Sequence, residues 1–266
     1  MRGALSCQVA TFPKSGTTFV TNICHQLRSR CEANDFEEIT AICPWIDLAV
    51  DVGQNLEDDH AHEPRVFKSH MNPSNLNPGG KAIFVVRDPV NVILSMFAFL
   101  KAKKPPLPFM APVETPLDLI DHMFWQQGPF TSSSKRGNVW QFLVEIYFAR
   151  KRTDVLVVPY EDAIKNPATW IAKIGTLMAV ENCDDDLVAN VRKHSDKQYM
   201  IDHESQFDDH WITDQQIKLK GEQQMALASK VAKVAHDKPD GLDEACLLYT
   251  SPSPRDQRGS RMPSSA

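Results

Sequence analysis

The stretch Thr11-Phe12-Pro13-Lys14-Ser15-Gly16-Thr17-Thr18-Phe19 gathers what an oxyanion site requires. An apolar run from Cys7 to Phe12 ends at Pro13, and residues 17–30 follow with helical spacing, so the segment reads as strand, loop, helix. At a helix N-terminus the backbone N–H groups and the helix dipole favour an anion, hydroxyls add donors, and glycine admits a close backbone approach. Lys14 contributes a mobile point charge able to follow a leaving oxygen. The pattern is not Walker A, GxxxxGK[ST]: Lys14 precedes Gly16, and no upstream glycine opens the loop. Taken alone, the loop is equally compatible with an ordinary turn before a Ser/Thr-capped helix.

The elements that must hold this loop follow from periodicity. Arg65-Val66-Phe67-Lys68 is a short strand, followed by a turn-rich stretch from Asn72 to Gly80. Ala82-Ile83-Phe84-Val85-Val86 is continuously apolar, as a parallel strand covered on both faces should be. Asp88 then suits a helix N-cap and Pro89 its first turn, with the helix over 90–101. Residues 138–151 predict another helix, 154–160 a buried strand and 161–178 a further helix. This alternation predicts an α/β fold, a P-loop-like three-layer α/β/α sandwich with a central, mainly parallel sheet.

The chain has 266 residues, 42% of them hydrophobic and 24% charged, a balance that excludes a disordered chain and suits one large domain over residues 1–245. A net charge of −5 argues against a protein that coats nucleic acid through bulk charge. The six cysteines, at 7, 24, 31, 43, 183 and 246, form no CxxC pair or zinc ladder, so reduced thiols and no metal site are expected. No run approaches a membrane span and the first residues carry no apolar leader segment; a cytoplasmic protein without membrane or nucleic-acid partners is the expectation. Residues 246–266 read as a disordered tail. Within it, LLYTSPSPRDQRG resembles a translated sequencing-adaptor remnant, which would end the authentic sequence near Ala245.

The string PKSGTT resembles the 5′-phosphosulfate loop of the cytosolic sulfotransferase family, and further segments resemble that family in order. Val66-Phe67-Lys68-Ser69-His70 is similar to the segment that carries its catalytic histidine, and Val85-Val86-Arg87-Asp88-Pro89 with Ser95 to the one that holds the nucleotide 3′-phosphate. Val158-Pro159-Tyr160-Glu161-Asp162 resembles a strand end whose tyrosine lies near adenine, and His194-Ser195 with Met200 a segment whose serine contacts adenine. The resemblance implies 3′-phosphoadenosine 5′-phosphosulfate (PAPS) as co-substrate and in-line transfer of its sulfonate group to a hydroxyl or amine of a small acceptor, with no metal. It assigns His70 as base, Lys14 to the charge on the bridging oxygen, and Lys68 to the sulfonate oxygens. Backbone N–H groups from Ser15, Gly16, Thr17 and Thr18 would hold the 5′-phosphate, with Thr17 and Thr18 adding hydroxyls. Arg87 and Ser95 would hold the 3′-phosphate, and Phe19, Tyr160 and Ser195 would meet the adenine, Phe19 standing where the family usually has tryptophan.

One departure counts against full activity. The family's C-terminal RKGxxGxWK loop has only a divergent counterpart in Ser229 to Lys238, where Lys230 or Lys233 would replace the arginine and Gly241 comes late. An inactive, nucleotide-binding relative is therefore one alternative. The other is a P-loop nucleotide kinase, disfavoured by the displaced lysine. Residues 31–64 and 103–137 carry Phe36, Trp45, Phe109, Met110, Phe124, Trp125 and Phe130, which are expected to line an apolar acceptor pocket suited to a phenol, steroid or lipid-like alcohol. Phe207-Asp208-Asp209-His210-Trp211 has no role assigned from sequence, and the oligomeric state is not encoded in any motif.

Overall fold

The computed structural model describes residues 6–76, 79–102, 113–120 and 138–221. Four parallel strands, β1 (Ser6–Thr11), β2 (Arg65–Ser69), β3 (Lys81–Val86) and β4 (Val155–Pro159), form one sheet in the order β2-β1-β3-β4. Nine helices accompany them among the described residues: α1 (Thr17–Ser29), α2 (Ile39–Ile42), α3 (Pro89–Lys101), α4 (Val139–Ala149), α5 (Tyr160–Lys165), α6 (Pro167–Met178), α7 (Asp185–Ser195), α8 (Lys197–Asp202) and α9 (His210–Lys220).

Alternation along each strand divides the core in two. Cys7, Val9, Ile83, Val85 and Val158 face α1, α6 and α7, where Ile23, Leu27, Ile171, Ile174 and Val191 cover them. Ala10 and Phe84 face the other way, onto Ile93, Met96 and Leu100 of α3 and Phe142 and Ile146 of α4. The three-layer α/β/α sandwich anticipated from the apolar runs is the observed architecture. No helix among the described residues is long and apolar enough to cross a membrane.

Local chemistry explains the element ends. Asp88 caps α3 by accepting from the amides of Val90 and Asn91, and Pro89 occupies the first turn, where no N–H is needed. The single helix expected over 161–178 is instead two. Asn166 sits at φ −125°, ψ 55° between α5 and α6, because the residue before a proline is pushed out of the helical region. Asp162 spans the break, accepting from Asn166 Nδ2 and Trp170 Nε1, each at 2.7 Å. Residues 103–112, 121–137 and 222–266, which include Phe109, Met110, Phe124, Trp125, Phe130, Lys230, Lys233, Gly241 and the tail expected to be disordered, lie outside the described residues.

The C-terminal half of α1 is strapped to the chain that precedes β2. Buried Arg28 donates to the Ile42 carbonyl at 2.8 Å, to His60 Nδ1 at 2.9 Å and to His25 Nδ1 at 3.4 Å. His25 Nε2–H in turn donates to the Ala33 carbonyl at 2.8 Å, which turns its Nδ1 lone pair to the guanidinium. Burial, reinforced by the Arg28 charge, lowers both imidazoles from the usual 6.5 to about 4. Both histidines are therefore neutral in the folded protein at pH 7. Their unfolded forms take up protons below about 6.5 while the folded forms resist, so stability is complete above that pH and declines as pH falls toward about 4. His60→Gln keeps an acceptor for Arg28 and removes one titration. Its unfolding free energy, measured against pH, is expected to lose the slope of about one proton in that window; a curve parallel to wild type would refute the assignment.

Candidate active site

The register of the sheet sets the site. Ala10 pairs with Ser69, Thr11 with Val85, and Val86 with Pro159, so the strands end together. The chain just beyond each strand carries a candidate residue: the loop after Thr11, His70 after Ser69, Arg87 after Val86, and Tyr160 after Pro159. The sheet's central strand β1 has β2 on one side and β3 on the other, the switch point at whose carboxyl edge parallel sheets bind ligands.

The loop from Phe12 to Gly16 turns through two left-handed residues, Lys14 at φ 67° and Gly16 at φ 102°. The Ser15 amide closes the turn by donating to the Phe12 carbonyl at 3.1 Å. That bond engages the Ser15 N–H, one of the expected phosphate donors, within the loop's own turn. Gly16 is the N-cap of α1 and makes no side-chain cap, so the amides of the first turn are left to an incoming ligand. A Cβ at Gly16 would lie 2.5 Å from the Tyr160 ring, so the position excludes any side chain by conformation and by contact. Thr17 Oγ1 hydrogen-bonds Thr11 Oγ1 at 2.5 Å, tying the start of α1 to the end of β1; Thr18 and Phe19 are half-buried on the same turn.

His70 Nδ1 stands 2.9 Å from the Thr11 carbonyl and 3.4 Å from its Oγ1. A carbonyl only accepts, so Nδ1 carries a proton; in the neutral ring this leaves the lone pair on Nε2, the tautomer a general base needs. The Trp45 ring meets the imidazole edge-on at 5.0 Å. The His70 amide donates to Asp47 Oδ2 at 3.0 Å, an acid that no motif in the sequence flagged; its signal would have been a carboxylate two residues after an expected pocket tryptophan.

Lys68 is buried. Its ammonium donates to Thr40 Oγ1 at 2.5 Å, sits 4.0 Å from Asp209 and lies over the Trp45 ring at 4.9 Å. The Thr40 hydroxyl in turn donates a hydrogen bond to Glu38 Oε1 at 3.0 Å. The Phe207–Trp211 segment, silent in sequence, thus supplies Asp209 as a counter-charge, while Phe207 is core. Phe36, expected in the acceptor pocket, instead has its ring against His25 and Phe207.

Arg87 closes the opposite side. Its Nη1 donates to the Lys14 carbonyl at 2.7 Å, and its guanidinium lies 4.6 Å over the Tyr160 ring. Its Nε is buried and makes no hydrogen bond among the described residues. An orphaned charged donor costs about 1–3 kcal/mol or more, so this atom calls for an acceptor beyond the described residues. Tyr160 also meets the edge of Phe19 at 6.2 Å, and burial pushes its phenol pKa up. The Lys14 ammonium lies 4.3 Å over Phe99. Ser95 is half-buried within α3, and Ser195 is buried at the end of α7, donating back to the Val191 carbonyl at 2.7 Å. The structure therefore brings together the loop, His70, Arg87, Tyr160 and Phe19, whereas the Ser195 hydroxyl proton is already used within its own helix.

Comparison with known proteins identifies the family and the fold. The Sulfotransferase domain family model matches residues 7–229. The chain is 28% identical over 207 residues to 3-alpha-hydroxysteroid sulfotransferase of Cavia porcellus, covering 73% of this chain and 65% of that protein. It is 25% identical over 216 residues to Sulfotransferase 1B1 of Canis lupus familiaris, covering 73% and 66%. It thus spans slightly under two thirds of the length of both relatives. Retinol dehydratase, solved with androsterone and the inactive cofactor PAP, superposes with a TM-score of 0.65 at 14% identity over 92% of this chain and 78% of that one, which shows a shared fold. With the family model matched across most of its length, the chain belongs to the sulfotransferase family.

Proposed function

We propose that this protein transfers a sulfonate group from PAPS to a hydroxyl or amine of a small acceptor. The observation that carries the reading is the unpartnered, buried Nε of Arg87 beside the Gly16 loop: a cationic donor awaiting an anion, next to a helix N-terminus. The residues present fit the co-substrate. The amides of Gly16, Thr17 and Thr18, with the two threonine hydroxyls, would hold its 5′-phosphate, Arg87 with Ser95 its 3′-phosphate, and Phe19, Tyr160 and Ser195 its adenine. The co-substrate supplies an activated sulfonate on a phosphate leaving group.

The acceptor oxygen or nitrogen forms the new bond to sulfur as the sulfur–oxygen bond to the phosphate breaks. The acceptor's proton passes to His70 Nε2, while Nδ1–H remains on the Thr11 carbonyl and steadies the ring through the charge change. Lys14 swings from Phe99 on its flexible stem to balance charge on the departing phosphate. Lys68 reaches the sulfonate oxygens only by leaving Thr40; in place, it holds a fixed positive charge beneath Trp45.

Trp45 beside His70 favours an apolar acceptor such as a phenol, steroid or lipid-like alcohol. The relatives bearing a hydroxysteroid name and a bound androsterone support that class. We assign the activity to a single domain over 1–245 and to the cytoplasm, since every described cysteine is a free thiol.

Adenosine 3′,5′-bisphosphate is expected to stabilise the protein in a thermal-shift assay more than ATP does; no shift at millimolar concentration would refute the reading. Arg87→Ala should weaken the bisphosphate by about 10–100-fold, the worth of one or two charge-assisted hydrogen bonds, and adenosine 5′-phosphate far less; equal weakening would refute the 3′-phosphate assignment. Gly16→Ala should abolish bisphosphate binding and destabilise the fold by about 1–3 kcal/mol, by strain at a positive φ and by displacing Tyr160. Labelled-sulfonate transfer should vanish in Lys14→Ala and His70→Ala while His70→Ala still binds the bisphosphate. Wild-type binding without transfer to any phenol, alcohol or amine would instead identify an inactive nucleotide-binding relative.

A further inference from the structure

We infer that Asp47 is the positioning residue that aims the His70 base, an assignment that rests on the reading of His70 given above. One carboxylate oxygen, Asp47 Oδ2, accepts from three donors: Ser69 Oγ at 2.8 Å, the His70 amide at 3.0 Å and Trp45 Nε1 at 3.1 Å. Those donors come from the end of β2, from the base itself and from the ring that flanks the base.

The backbone around Asp47 is built to deliver it there. The Lys68 amide donates to the Pro44 carbonyl at 3.0 Å and the Ile46 amide to the Lys68 carbonyl at 2.9 Å, so Trp45 pairs with Lys68 in parallel as a one-residue extension of the sheet edge. Asp47 follows that bridge as His70 follows β2, which sets the carboxylate level with the His70 amide. The Ser69 hydroxyl carries the hold one residue further, accepting from the Met71 amide at 2.9 Å.

The imidazole therefore has three restraints: its own amide on Asp47, the Trp45 edge at 5.0 Å, and Nδ1–H on the Thr11 carbonyl at 2.9 Å. Two of the three depend on Asp47, because the carboxylate also fixes the Trp45 indole. Without it two of these restraints are lost, which favours departure of the ring from Thr11 and movement of its proton to Nε2, the atom that must accept. A displacement of about 1 Å in a reacting group can cost about 100-fold in rate, so loss of this anchor should appear in turnover and hardly in nucleotide binding. These three donors are neutral, so what they require at this position is an accepting oxygen.

The test reads the His70 ring directly, by nitrogen NMR of the ligand-free full chain labelled with 15N-histidine, the signal being assigned by its loss in His70→Gln. Wild type should show Nδ1 protonated and Nε2 bare at pH 8. Asp47→Ala should shift the signal toward the Nε2–H form, lower kcat by about 30–100-fold and leave bisphosphate affinity within about 2-fold. Asp47→Asn keeps one accepting oxygen and should retain the wild-type tautomer and at least about one fifth of kcat. Should the alanine variant not fold, Ser69→Ala removes one of the donors and should cost about 3–10-fold in kcat with a smaller shift of tautomer. A wild-type tautomer in Asp47→Ala, or in Ser69→Ala where that variant stands in, overturns the inference, as does a changed tautomer with unchanged kcat. Wild-type protein that fails to bind the bisphosphate refutes the donor assignment instead, and the tautomer measurement still decides the role of Asp47.

Discussion

The parallel pairing of β1 between β2 and β3 is the constraint on which the rest of this protein depends. Because Ala10 lies opposite Ser69 and Thr11 opposite Val85, the residues that follow these strands emerge at one edge within two residues of each other. A slip of a single residue would turn His70 and Arg87 to the wrong faces and bury the wrong side of every strand. The two hydrophobic layers forbid that slip, since Val9, Ile83 and Val85 would then meet α3 and α4 instead of α1, α6 and α7. The apolar core therefore does the precise part of site assembly, and the polar contacts refine it.

Those contacts converge on very few atoms. The Thr11 carbonyl holds His70, the Thr11 hydroxyl holds the first residue of α1, and the Lys14 carbonyl holds Arg87. Tyr160 is a wall shared by the glycine, the arginine and Phe19. The Gly16 loop and His70 are thus joined through Thr11, at the end of one strand.

Buried charge is handled by pairing in a shell beneath the site. Lys68 is satisfied by Thr40 with Asp209 nearby, and Arg28 by carbonyls and two imidazoles that burial keeps neutral. Each arrangement ties a different piece of irregular chain to β2 or α1. The segment from Cys43 to Pro64, irregular in sequence, is in consequence held at both ends: by Arg28 at one and by Asp47 and Trp45 at the other.

Continuous apolar runs, a proline, a capping aspartate and a Lys-Ser-Gly-Thr-Thr string were enough to determine by themselves the layered fold, its strands and the helices over α1, α3 and α4. These are properties of residues near one another along the chain, where side-chain period and backbone stereochemistry act. The placing of His70, Arg87 and Tyr160 came from the ordered family motifs, and α2, α7, α8 and α9 were not read from the sequence. The break of 161–178 at Pro167 was equally local, yet the apolar spacing that continues across it masked the signal. Tertiary structure alone decided that Asp47 holds His70, that Ser15 spends its amide on the loop's own turn, that Lys68 is sequestered with Thr40 and Asp209, and that Phe36 belongs to the core. Each of these depends on which donor finds which acceptor across a fold, and a hydrogen bond between residues distant in sequence leaves no periodic trace in the chain that makes it.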